Sequence, residues 1–168
     1  MRTILILGGD RIAQKVLTFP ELNTTAPLIV MDRTTSLQRV ARLVWRRRLS
    51  LWLVLKMFLC EKMRKSSSEV HQKFDEIRSN RDLLVLIDEW KPERIILFRA
   101  GLVINQDIIS KGIPLLNIHC ANVPEYGGLG SIERALKNGA LNQNATLHQV
   151  TTTIDEGVVF DTEPYLLD

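Results

Sequence analysis

The sequence has little with which to staple itself or to cross a bilayer. Its 168 residues hold only two cysteines, Cys60 and Cys120. No disulfide framework and no metal-ligand spacing can be built from that pair, so no metal site is expected and a reducing compartment, the cytoplasm, is the default. No run reaches the roughly 20 apolar residues that a spanning helix needs. The N-terminal MRTILILGGD is not expected to act as a signal peptide, because its apolar run is short and glycines and an aspartate follow at once. Internal repeats and low-complexity tracts are absent, as is a full Gly-x-Gly-x-x-Gly turn. The net charge of +3 is too small for whole-surface nucleic-acid binding, so no nucleic-acid partner is expected.

What is present fits one globular domain over residues 1–168, with 45% apolar and 24% charged residues. The charge is uneven. Arg39, Arg42, Arg46, Arg47, Arg48, Lys56, Lys62, Arg64 and Lys65 crowd into one stretch, which leaves room for a local anionic partner. Thr3 to Leu7 reads as a buried strand running into the Gly8-Gly9-Asp10 turn and a helix over Arg11 to Leu17. Further strands are expected at Pro27–Met31, Arg94–Phe98, Pro114–Ile118, Ala145–Val150 and Val158–Phe160. Helices are expected from Ser36 to about Lys65, from Glu69 to about Ser79, over Arg81–Trp90, from the Asn105 cap to Gly112, and over Ser131–Lys137. Strands alternating with helices imply an α/β layered domain with a mostly parallel sheet. Ligands of such sheets sit beyond the carboxyl ends of the strands, where Gly8, Gly9, Asn117, His119 and the loop before Val158 would lie.

Three places carry candidate chemistry: Asn117-Ile118-His119, the loop Pro124-Glu125-Tyr126-Gly127-Gly128, and Ile154-Asp155-Glu156-Gly157. An amide, an imidazole and a carboxylate are the parts needed for acyl transfer to an amine. The amide and a protonated imidazole can stabilise an oxyanion, and the carboxylate can hold the imidazole charged or take a proton through water. Asn117 and His119 are two apart on a strand, so both side chains point to one face.

The runs LLNIHCANVPEYGG, SIERALKNG and ATLHQVTTTIDEGVVF resemble the folate-dependent formyltransferases, a family that includes the glycinamide ribonucleotide, methionyl-tRNA and sugar N-formyltransferases. The resemblance rests on Asn-x-His, a Pro-x-Tyr-x-Gly loop, a helix end of the form Ala-hydrophobic-x-x-Gly, and an Asp-x-Gly loop, in that order. It implies a Rossmann-like three-layer fold and a catalytic triad of Asn117, His119 and Asp155. It further implies 10-formyltetrahydrofolate as formyl donor, held between Gly101, Leu102, Val103 and Ile104 on one wall and Thr153, Ile154 and Glu156 on the other. Gly8, Gly9, Asp10 and Tyr126 are the positions assigned to the amine substrate. The family style closest to this chain is that of the sugar N-formyltransferases, so the expected acceptor is a nucleotide-linked amino sugar of cell-envelope polysaccharide synthesis. The sequence departs from the family pattern at Gly127, where arginine is frequent, and at Cys120-Ala121-Asn122 after the histidine. The sequence ends at Asp168, soon after the last expected strand, and acceptor-binding segments found beyond that point in many relatives are expected to be missing.

Each landmark also has a plainer explanation. His119 could be a core histidine, Asp155 a turn former before glycine, and Gly8-Gly9 a tight strand-to-helix turn. His148 is expected to be a packed or hydrogen-bonded strand residue. Cys120 adjoins His119 but should point to the opposite face. The 45–60 segment, WRRRLSLWLVLKMFLC, suits either an interfacial helix on anionic lipid or a helix buried on the sheet or at a homodimer contact. Its nearly all-round apolar character favours burial. Two alternatives to formyl transfer are hydrolysis of the formyl donor and a non-catalytic module that keeps the folate cleft and works through the 45–60 helix.

Overall fold

A computed structural model of the chain describes residues 1–34, 44–45, 50–63, 74–128 and 130–167. Seven strands form one sheet: β1 (Thr3–Leu7), β2 (Leu28–Asp32), β3 (Asp75–Ile77), β4 (Arg94–Phe98), β5 (Leu115–His119), β6 (Asn142–Gln149) and β7 (Val159–Leu166). Their order is β3-β2-β1-β4-β5-β6-β7. The first five are mutually parallel, and β6 and β7 are antiparallel additions beside β5. The helices are α1 (Arg11–Lys15), α2 (Glu21–Thr25), α3 (Leu51–Met63), α4 (Asn80–Trp90), α5 (Gln106–Ile109) and α6 (Ser131–Lys137).

The alternation of side chains along β1 explains the layering. Ile4 and Ile6 share one buried cluster with Leu83 and Ile87 of α4, Ile95, Leu97 and Ile108. Leu5 and Leu7 point the other way and join Ala13 of α1 and Met31, with Val16, Leu17 and Leu22 packed around them. One strand thus cements a helical layer to each face of the sheet, which is the expected three-layer α/β architecture. Each fully buried Ile or Leu contributes about 1.5–3 kcal/mol. Local signals mark the helix starts: Ser79 Oγ accepts from the Asp82 N–H at the start of α4, and Asn105 Oδ1 accepts from Ile108 at the start of α5.

Two expectations change. The polar helix from Glu69 to Ser79 is replaced over Asp75–Ile77 by β3, an edge strand paired in parallel with β2; residues 69–73 lie outside the described residues. Ile77 is fully buried in the core, so tertiary packing outweighs the local composition. The second change concerns α3. Burial of this helix on the sheet is not observed: Trp52 and Met63 are 73% and 83% exposed, and Leu51, Leu55, Phe58 and Leu59 are exposed with them. Arg39, Arg42, Arg46, Arg47, Arg48, Arg64 and Lys65 fall outside the described residues. Among the described residues no helix is long and apolar enough to cross a membrane.

Candidate active site

Strand β5 carries Asn117 and His119 at its carboxyl end, and the antiparallel register sets His148 of β6 directly opposite Asn117. The loop after β6 then turns back and delivers Asp155. Gly157 makes that turn compatible with the sheet, because a Cβ there would overlap the backbone carbonyl of Gln149. Asp155 itself has φ +54°, a left-handed conformation uncommon for a non-glycine residue and often found at functional positions.

The four side chains form one connected cluster. Asp155 Oδ1 lies 3.2 Å from Asn117 Nδ2 and 3.4 Å from His148 Nε2. Its Oδ2 accepts from the Gly128 N–H at 2.7 Å and lies 3.3 Å from His119 Nδ1. Asn117 Nδ2 is also 3.1 Å from His148 Nε2. The outer nitrogens are tethered to the backbone, His119 Nε2 to the Tyr126 carbonyl at 2.9 Å and His148 Nδ1 to the Gln149 carbonyl at 2.9 Å. Both ring nitrogens of His119 therefore face oxygen atoms, the Tyr126 carbonyl and the Asp155 carboxylate.

The charges follow from this geometry. Burial alone would raise the Asp155 carboxyl, but the His148 hydrogen bond, the Gly128 N–H and the two imidazoles outweigh it and hold the carboxyl at about 2. Burial alone would lower His148, and Asp155 with the Gln149 carbonyl reverses that, so its imidazole is raised above the ordinary value. A shallow cleft of about 290 Å³ opens beside the cluster, lined by Val123, Pro124, Asp155, Glu156, Gly157 and Val159. Among the described residues no group of His, Cys, Asp and Glu is arranged to hold a metal ion.

The structure thus brings Asn117, His119 and Asp155 together and adds His148, which the sequence had suggested only as a hydrogen-bonded strand residue. Its fixing partners are Asn117 and Asp155. The signal for it was the β5–β6 register, which pairs position 148 with position 117. Gly127, the departure from the family loop, sits against Asp155: a Cβ there would lie 3.1 Å from Asp155 Cβ. A guanidinium still serves this loop, since Arg134 of α6 donates to the Gly127 carbonyl.

The remaining sequence-assigned positions are used differently. Tyr126 is only 4% exposed and packs with Ala121 and Ala135, so its side chain faces the core and its carbonyl holds His119. Gly8 provides close passage, since a Cβ there would overlap the Arg99 carbonyl. Gly9 lies beside Arg33, where an added Cβ would stand a tight 3.1 Å from Nη1 and the flexible guanidinium would have to shift. Asp10 caps α1 through the Ile12 and Ala13 N–H groups, both at 2.9 Å, and pairs with Arg99 at 2.6 Å.

On the expected folate wall, Gly101 and Leu102 donate their N–H groups to the buried Asp32 carboxylate, Leu102 at 2.9 Å. Ile104 belongs to the core, because it packs beneath the loop, whereas Val103 is exposed. Asn80 fixes the far end of this loop through the Val103 carbonyl and the Asn105 N–H. On the facing loop, Thr153, Ile154 and Glu156 are exposed around Asp155.

A family model described as formyl transferase matches residues 59–163. The chain is 29% identical over 84 residues to the methionyl-tRNA formyltransferase of Fervidobacterium nodosum, covering 50% of this chain and 27% of that protein. The chain spans about a quarter of the length of such curated relatives. Among solved structures, a phosphoribosylglycinamide formyltransferase from Anaplasma phagocytophilum superposes with a TM-score of 0.65 at 13% identity, covering 99% of this chain and 72% of that one. A sugar N-formyltransferase from a Shewanella species superposes with a TM-score of 0.60 at 11% identity, covering 100% and 58%. At such identities these two likenesses speak for the fold.

Proposed function

The chain belongs to the formyl transferase family, and on that premise we propose that it moves a formyl group from 10-formyltetrahydrofolate to a primary amine. The observation that carries the proposal is the closed cluster of Asn117, His119, His148 and Asp155 at the mouth of the cleft. The acceptor nitrogen attacks the formyl carbon and the carbonyl becomes an oxyanion. Asn117 and His119 are the donors to that oxyanion, each exchanging one of its resting contacts, His119 its Tyr126 carbonyl and Asn117 its His148 nitrogen, for the substrate oxygen. Asp155 holds His119 oriented and accepts the amine proton, directly or through water. The carbon–nitrogen bond to the folate then breaks, and the folate nitrogen takes up a proton. The donor's pteridine lies between the 101–104 loop and the Thr153–Glu156 loop, with Val103 and Ile154 as its exposed apolar contacts.

For the acceptor we propose a nucleotide-linked amino sugar, formylated in the cytoplasm for cell-envelope polysaccharide. One feature supports this over an acceptor anchored by a phosphate at the start of α1. The N–H groups there are already filled by the Asp10 carboxylate, which would repel such a phosphate. The test is incubation of the purified chain with 10-formyltetrahydrofolate and a panel of amines, including nucleotide-linked amino sugars and glycinamide ribonucleotide, read by mass spectrometry. Formylation of an amino sugar is the expected result. Formate release without any formylated amine would overturn transfer in favour of hydrolysis.

A further inference from the structure

Among the described side chains of α3, Leu51, Trp52, Leu55, Phe58, Leu59 and Met63 are all exposed apolar groups. Leu51, Trp52, Leu55, Leu59 and Met63 recur at helical spacing and fall within an arc of roughly 120° at 100° per residue, an arc that Lys62 shares by position. All five are exposed. Lys56, also exposed, lies at the edge of the same arc, where a long basic side chain can reach upward from an apolar boundary. The 13 residues of α3 span ~20 Å at about 1.5 Å per residue, too short to cross a bilayer but long enough to lie along one.

The charge distribution selects among the occupants of this face. Residues 36–65 carry nine Lys and Arg and one acidic residue, Glu61, a net charge of +8; the rest of the chain carries 13 basic and 18 acidic residues, a net charge of −5. The basic residues lie at both ends of α3 in the sequence, Arg46, Arg47 and Arg48 before it and Lys62, Arg64 and Lys65 at and after its end. A second copy of the helix would therefore bring basic against basic in either the parallel or the antiparallel sense. A negatively charged lipid surface satisfies both ends at once and takes up the apolar arc between them, with Trp52 at the headgroup level that indoles favour.

We propose that α3 seats this protein on an anionic lipid surface, apolar arc inward. The inference stands apart from the proposed formyl transfer. The full chain is sedimented with vesicles of phosphatidylcholine mixed with phosphatidylglycerol, and with pure phosphatidylcholine vesicles. Strong binding to the mixed vesicles and little to the neutral ones is expected, and salt should weaken it. The variant Trp52→Ser/Leu55→Ser/Leu59→Ser, at exposed positions, should keep its circular dichroism and bind at least tenfold more weakly. Removing Arg46, Arg47 and Arg48 should cost roughly fivefold per side chain. Absence of the native chain from the anionic vesicle pellet overturns the proposal. So does equal binding by the triple-serine variant, or a concentration-dependent dimer in which Trp52 becomes shielded without lipid.

Discussion

Replacing Asp155 by asparagine isolates the work of its charge, because size and shape are kept. In the native site each carboxylate oxygen faces two partners, Asn117 and His148 on Oδ1 and Gly128 and His119 on Oδ2. Asparagine keeps one acceptor oxygen and sets an NH2 against the other two partners, whichever way the amide sits. The carboxyl is displaced from 3.8 to about 2 in the folded protein, which corresponds to about 2 kcal/mol in favour of its ionised form. Asp155→Asn should therefore lose about 2 kcal/mol near neutral pH. For a chain of this length that lowers Tm by roughly 4–8 °C.

The pH dependence gives the sharper test. The contribution of Asp155 is present above 3.8 and is lost as pH falls through about 2. His148 has the opposite sign. Its imidazole is raised above 6.5, so its contribution is complete below 6.5 and disappears as pH rises through its folded-state midpoint. In the asparagine variant the carboxylate charge is gone and burial is opposed by the Gln149 carbonyl and at most a neutral amide oxygen, so the midpoint of His148 should fall. If it falls below 6.5, stability near neutrality changes sign and is lost as pH decreases through 6.5. Imidazole NMR titration reads the midpoint, and urea unfolding at about pH 6 and about pH 8 reads the linked stability. A His148 midpoint unchanged or higher in the variant would refute the assignment of Asp155 as the group that sustains its charge.

Asn117→Ala should reduce turnover on the order of 100- to 1,000-fold, the usual cost of one oxyanion donor; a formylation assay with near-native turnover would count against the proposed role. Gly157→Ala should cost about 3 kcal/mol or more, since its Cβ would overlap the Gln149 carbonyl and only separation of the loop from β6 relieves it. Urea midpoints compare it with Gly112→Ala, where nothing lies near the added Cβ and only the φ of +70° is strained, for a smaller loss of about 1 kcal/mol. Asp10→Ala removes the α1 cap and the partner of Arg99. It should cost about 2 kcal/mol in thermal unfolding, and a loss below half of that would show that water replaces the carboxylate.

Much of the fold was legible because local chemistry and tertiary packing agree over most of the chain. The β-branched runs at Thr3–Leu7 and Arg94–Phe98 became central parallel strands, and Asn105 and Ser131 opened the helices expected after them. Disagreement arose where neighbours decide. Nothing local in Asp75–Ile77 signals a strand; the open edge of β2 and a core position for Ile77 create it. Asn117, His119 and Asp155 were legible through strand periodicity and a family pattern. His148 was not assigned to the site, because its contribution depends on the register of an antiparallel partner. Tyr126 shows what a motif leaves open: it meets the cluster through its backbone carbonyl while its side chain lies in the core.

The cluster at rest is already satisfied, and that shapes how it would act. One hydrogen of the Asn117 amide faces Asp155 and the other faces His148 Nε2. That second bond requires a lone pair on Nε2, because Nδ1 is turned to the Gln149 carbonyl and carries the neutral ring's hydrogen. Protonation of His148 places a hydrogen on Nε2, which must then turn to Asp155 Oδ1, 3.4 Å away. The same event sets two donors against each other and releases an Asn117 hydrogen for a formyl oxygen. The upward shift of His148 acts in the direction that favours the form in which, on the proposed mechanism, the amide is free to bind an oxyanion. On this argument the carboxylate acts through both histidines, orienting His119 directly and releasing Asn117 by way of His148. Loss of turnover as His148 deprotonates, with the fold intact, is the dependence that this coupling demands.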